Sequence, residues 1–318
     1  MSFLSILFAL LFEQLKPLRA DNPMYDLIRS LAVRMEAWFN AGQQQNGRLA
    51  WFVMVLALTI PTALGYKLCA SVSPFLALAW NVLIVYLTLG FRHYSHYFTA
   101  IQLALNAGDD ATARTLLSEW TGLATVDMES NEISRIAVER ALISTHRNVF
   151  GVFFWFLMPV GPALAVMYRV AEYLARAWNV PENMQNEAFG QFAARAFYWI
   201  DWIPVRLTAI AFAIVGNFED AVFAWRNFAQ RWQDESMGII LSTGGGAMGV
   251  RLGAPGQTAA AIREADISMP DAGSTESDSP PGDETTARAL QSTVGLVWRA
   301  LLLWMLLLLL LSLAVWVG

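Results

Sequence analysis

Two charged side chains, Asp201 and Arg206, sit inside an otherwise apolar run, FYWIDWIPVRLTAIAFAIVGNF, from Phe197 to Phe218. Charge at membrane depth is expensive and survives where it is paired or lines a working site, so both are candidate functional groups. Five positions apart, they point about 140° away from each other on an ideal helix. Pro204 lies between them, and a kink there, or a helix beginning there, would let them share a site. The other reading is that both groups anchor the helix end at the interface. With Arg92, Glu139, Gly249 and Arg251 they make the set expected around a polar pocket at the cytoplasmic mouth of a bundle. In that pocket an arginine should pair with Glu139 or Asp201. No catalytic role is assigned to any of them.

Two other constellations carry weaker chemistry. His93 and His96 share a helical face and, with His146, have the atoms for a metal site. No carboxylate pattern accompanies them and Arg92 would repel a cation, so a His and Tyr face at the membrane interface is favoured. No metal is expected. The run Gly244 to Gly246 could cradle a phosphate if it opened a helix. No Lys-Ser/Thr follows, which excludes a P-loop and favours a flexible turn.

The elements that must hold these residues are set by apolar runs. Ala300 to Gly318 carries no charge and has the length of a spanning helix. The chain is 56% hydrophobic and 15% charged, far to the apolar side of a soluble domain. Its tryptophans, among them Trp51, Trp80, Trp199, Trp202 and Trp298, flank apolar runs, as suits the headgroup zone. The apolar runs make the lipid bilayer a partner, and a mild net charge of −5 points away from nucleic acid. Cys69 is alone, so no intrachain disulfide forms.

The fold expected is therefore all-α: a polytopic helical membrane protein with about six transmembrane helices and amphipathic cytoplasmic helices. A marginal first span covers Met1 to Leu15, and an amphipathic helix covers Tyr25 to Phe39. Leu49 to Tyr66 and Pro74 to Gly90 form a hairpin of spans, and residues 91–148 a more polar helical region. Val149 to Leu174 is apolar but broken at Pro159, Gly161 and Pro162. By domain, residues 1–253 form the bundle, 254–295 a disordered acidic linker, and 296–318 the last helix. Arginine-rich loops placed inside put both termini outside and the chain in a bacterial inner membrane as a multi-pass protein. Arg169, Arg176 and Arg195 then fall on the far side unless the fourth segment is re-entrant.

Three stretches in order carry a resemblance: GDDATARTLL with IAVER (Gly108 to Leu117, Ile136 to Arg140), DWIPVRLTA (Asp201 to Ala209) and STGGGAMGVRLGAPG (Ser242 to Gly256). Together they resemble the CobD/CbiB membrane proteins over roughly Glu13 to Gly256. The resemblance implies an adenosylcobinamide-phosphate synthase of cobalamin assembly, a ligase-type enzyme using Mg and ATP. At positions where those enzymes carry acidic or amide groups this chain has Ile143, Ser144, Arg147 and Leu241, and SEWTG and DESMG replace two further motifs. Lost carboxylates mean lost cation ligands.

Four features, LLFEQL (Leu10 to Leu15), FRHYSHYFTA (Phe91 to Ala100), DWIPVRL and the lone last span, are similar to the AmpE branch of the same superfamily. That resemblance implies a non-catalytic inner-membrane regulatory protein without a cofactor, linked to the cell-wall and β-lactamase response. Its partner would be a membrane or cell-wall-recycling protein. This is the main expectation; the synthase, and a small-molecule-binding or transport bundle, are the alternatives.

Overall fold

The structure, a computed structural model, describes residues 2–15, 23–40, 44–179, 187–232, 234–253 and 282–317. The side chains of residues 2, 23, 91–94, 187 and 315–317 lie outside that description. Thirteen α-helices follow one another among the described residues. They are α1 (Ser2–Leu15), α2 (Pro23–Phe39), α3 (Gln44–Val72), α4 (Pro74–Thr88), α5 (Phe91–Asn106), α6 (Asp110–Thr121) and α7 (Ser130–Thr145). After a π-helical turn (His146–Phe150) come α8 (Gly151–Leu157), α9 (Pro162–Ala177), α10 (Glu187–Val215), α11 (Phe218–Phe228), α12 (Glu235–Met248) and α13 (Ala287–Val317). Strand-like pairing among the described residues includes a bridge between Val250 and Asp283.

This is a helical membrane protein. Three helices are long and apolar enough to cross a bilayer: Gln44–Val72, Ala188–Val215 and Ala287–Ala314. Two shorter apolar helices, Phe3–Leu15 and Pro74–Thr88, accompany them. The long helices leave large apolar side chains uncovered, among them Leu56, Ile60, Leu64, Ile210, Ile214, Leu306 and Leu310. Water would penalise such a surface, whereas hydrocarbon solvates it.

The chain divides into two compact units. The first comprises Met1–His93, Arg147–Pro204 and Leu308–Gly318. In it α3 and α4 form the expected hairpin: Pro74 opens α4, and the Ser73 hydroxyl caps it by accepting from the Phe75 N–H at 3.3 Å. Gly65 lets the Trp80 ring lie on α3, since a Cβ there would come within 2.5 Å of it. Helix α9 packs on α3, and α1 on α4. The break expected in Val149 to Leu174 is real: Met158 to Gly161 is non-helical, separating the short α8 from α9.

The second unit comprises Tyr94–His146 and Val205–Leu307. Helix α7 is buried along most of its length, and α12 packs against both α7 and α11. The expectation of a flexible turn at Gly244–Gly246 is corrected here, because all three glycines lie inside α12 and are buried. A Cβ on Gly246 would come within 2.5 Å of the Asp220 carbonyl oxygen on α11, so the missing side chains allow close helix packing.

Two boundaries also differ from expectation. Helix α10 starts at Glu187, before Phe197, and continues unbroken through Pro204. Helix α13 starts at Ala287 and not at 296, because Ala289, Leu290 and Leu296 already give an apolar face that packs inward. Of the expected linker, residues 254–281 lie outside the described residues.

Candidate functional site

In the second unit the acidic residue of the IAVER stretch meets the GVRLG turn. Glu139 is buried on α7, and its Oε1 accepts the Gly253 N–H at 2.7 Å. The same oxygen accepts from Arg135 Nη1 at 3.0 Å, one helical turn earlier. The turn itself needs its glycines. Gly249 ends α12 at φ +70°, and Gly253 has φ +78° with the Trp232 ring where a Cβ would go. Asp283 fixes the middle of the turn, accepting from the Arg251 N–H at 2.8 Å and donating to the Gly249 carbonyl at 3.0 Å. Arg251 keeps an exposed side chain, with Nη2 3.4 Å from the Gly282 carbonyl.

Arg206 pairs with Glu235 at 3.1 Å, and both side chains are partly exposed, at 25% and 39%. Glu235 begins α12 immediately after its cap Asp234, whose Oδ1 accepts the N–H of Ser236 at 2.9 Å and of Met237 at 3.3 Å. His146 is buried, its Nδ1 2.9 Å from the Thr208 hydroxyl. His96 is exposed and stacks on Tyr97, whose other partner is Trp120.

Asp201 belongs to the first unit. It is buried, and Oδ1 accepts from the Tyr168 hydroxyl at 2.9 Å. The next residue on α9, Arg169, is also buried and donates from Nη1 to Asn148 Oδ1 at 2.7 Å. Glu172, one turn on, has Arg176 at 3.5 Å, Arg169 at 3.7 Å and Arg147 at 3.9 Å.

Of the six residues singled out from sequence, then, Glu139, Gly249 and Arg251 belong to one structure, the locked turn. Arg206 pairs with Glu235, Asp201 with Tyr168, and the Arg92 side chain lies outside the described residues. The sequence reading missed Arg135 and the Glu172 group. Their spacing of three and four residues is the signal that was there, but it reads equally well as a solvated helix face.

The family model described as CobD/Cbib protein matches residues 23–291. The chain belongs to the CobD/CbiB family. A relative from Stutzerimonas stutzeri (strain A1501), "Cobalamin biosynthesis protein CobD", is 31% identical over 314 residues, 96% of this chain and 97% of that one. A protein of the same name from Chromobacterium violaceum is 31% identical over 180 residues, 57% of each chain. One from Thermoplasma acidophilum, "Probable cobalamin biosynthesis protein CobD", is 25% identical over 226 residues, 69% of this chain and 73% of that one. No solved structure matches.

These relatives overturn the main expectation, a non-catalytic AmpE-like regulator tied to the cell-wall and β-lactamase response. The non-catalytic part of that expectation rested on carboxylates replaced at Ile143, Arg147 and Leu241. In this CobD/CbiB chain Ile143 and Leu241 are core side chains of α7 and α12. Arg147 faces Glu172, and buried carboxylates stand elsewhere, among them Glu139, Glu172 and Asp201. Apolar residues at a few aligned positions therefore did not measure the acidic groups the fold holds.

Proposed function

We propose that this chain acts in cobalamin biosynthesis as an adenosylcobinamide-phosphate synthase, a ligase-type enzyme held in the bacterial inner membrane by several spans. The observation that carries this reading is the 31% identity to the Stutzerimonas relative over 96% of this chain and 97% of that one. The locked GVRLG turn supports it. Glu139 fixes the backbone from inside, and the exposed Arg251 guanidinium is placed to meet an anionic group of a substrate.

Mg and ATP would come with that chemistry. Among the described residues no group of three His, Cys, Asp or Glu side chains gathers to hold a metal ion. Magnesium is ordinarily carried by one or two carboxylates together with substrate phosphates, so such a group is not required. The deciding experiment is complementation of a cobalamin auxotroph that lacks its own synthase. Growth on the precursor is expected; membrane-localised protein with no growth would overturn the reading.

A further inference from the structure

Residues 282–285, just before α13, run alongside the turn at 249–253, with a parallel bridge between Asp283 and Val250. Both stretches belong to the second unit. The hydrogen bonds between them converge on Arg251. Its N–H donates to the Asp283 carbonyl at 2.8 Å, and its carbonyl accepts from the Thr285 hydroxyl at 2.6 Å. Thr285 is buried, and that hydroxyl reaches across 34 positions of chain to make the bond.

Gly282 permits the close approach. Its φ is +138°, which side-chain-bearing residues rarely adopt, and a Cβ there would lie 2.8 Å from the Val250 carbonyl carbon and 3.1 Å from the Arg251 nitrogen. The turn needs this support, because Gly249 and Gly253 place a freely rotating residue on either side of Arg251. Backbone and side chain of Arg251 are treated oppositely: both main-chain groups are engaged, while the guanidinium stays exposed, with Nη2 3.4 Å from the Gly282 carbonyl. A mere anchor for α13 could have gripped the turn anywhere. This one grips the residue whose side chain is free to meet a ligand.

We propose that residues 282–285 form a strap that positions Arg251 for an anionic substrate. Gly282 and Thr285 are then positioning residues, and the lead-in to a helix long enough to cross the bilayer belongs to the site. A long charged side chain loses affinity to the ordering it undergoes on binding, and fixing its backbone beforehand reduces that loss. The substrate's part in this rests on the synthase reading; the strap itself does not.

The test uses the full chain purified in detergent and has two readouts. The first is hydrogen exchange at the Arg251 amide. Thr285→Val keeps the side-chain shape and removes the donor, so exchange should speed up roughly tenfold, while Thr285→Ser should restore protection. Gly282→Ala should lose it too. The second readout is steady-state synthase kinetics, with each anionic substrate varied in turn, ATP included. Thr285→Val should raise the KM of one of them roughly tenfold with little change in kcat, as expected when binding is weakened uniformly. A strap acting through Arg251 has nothing left to position in an Arg251→Ala background, so there Thr285→Val should add no further rise. A rise of equal size in that background would make Thr285 a structural residue only and overturn the proposal. So would an unprotected Arg251 amide in the wild type, or an unchanged KM in Thr285→Val despite lost protection. A wild-type chain without turnover would sink the synthase reading, and amide exchange alone would then decide whether the strap exists.

Discussion

Glu139 and Arg206 are both acidic–basic partners in the second unit, yet burial separates their energetics. Glu139 is 1% exposed and serves two donors, Arg135 and the Gly253 N–H. Removing one partner of such a buried pair strands the other, at about 3–5 kcal/mol. The Arg206–Glu235 pair is 25% and 39% exposed, where solvent screening leaves about 0–1 kcal/mol. Glu139→Leu should therefore lower the melting temperature in detergent sharply, while Arg206→Leu should change it little. Equal losses in the two variants would show that Arg206 carries a buried role its exposure does not suggest. Sequence alone singled out both residues. Arg206 drew notice because its neighbours are apolar, whereas Glu139's partner 114 positions away was invisible. The Glu172 group was missed for the opposite reason: its spacing is local and plain, but only packing reveals that it is buried.

At the scale of elements, glycines and caps decide how helices meet. Gly244 and Gly246 share α12, but their neighbours differ. A Cβ on Gly244 would meet the tip of Leu142 at 2.8 Å, a flexible side-chain end. On Gly246 it would meet the α11 backbone at Asp220 and Ala221, which cannot move without the helix. Gly246→Ala should thus destabilise the protein clearly more than Gly244→Ala, read as the difference in melting temperature. The reverse order would refute the close α11–α12 packing. Sequence reasoning took the run for a turn because glycine declares only permissiveness; at Gly244 and Gly246 what fills the space it leaves is chain more than twenty residues away.

Helix α6 carries a cap that responds to pH. Asp109 caps it, accepting from the Thr112 hydroxyl and from the Thr112 N–H at 3.0 Å, and these hydrogen bonds hold its carboxyl below the usual value. Because the folded value is depressed, its stabilising effect is fully present above the ordinary aspartate range and is lost as pH falls through the folded value. Protection of the Thr112 amide from exchange should fall in that acid window for the wild type and show no such step in Asp109→Asn. An unchanged step in the variant would assign the pH dependence to another group.

For the whole molecule, the long apolar helices were plain in the sequence, since a spanning run is set by composition over some twenty positions. Which shorter apolar segments cross was less legible, because α1, α4, α8 and α9 lack the length that decides the matter alone. Orientation is a question for charge. Helix α13 carries Arg288 and Arg299 before its apolar run and no lysine or arginine after Arg299. Basic residues flanking a span are retained on the cytoplasmic side, so the Ala287 end of α13 should face the cytoplasm and the Gly318 end the outside. A periplasm-dependent alkaline phosphatase fused after Gly318 should be active, and a reporter that works only in the cytoplasm should be inactive. The exposed leucines make the membrane assignment independently testable. Leu306 and Leu307 are both about half exposed, at 53% and 54%, near the middle of the uncharged stretch. Arginine at such a depth costs about 2.5–3.5 kcal/mol on insertion scales, so Leu307→Arg should reduce insertion of α13 and move the C-terminal fusion to the cytoplasm. Leu307→Ala, which leaves the run apolar, should not. If Leu307→Arg left the alkaline phosphatase fully active, that face of α13 would not be lipid-facing, and the uncovered leucines would need a protein partner instead.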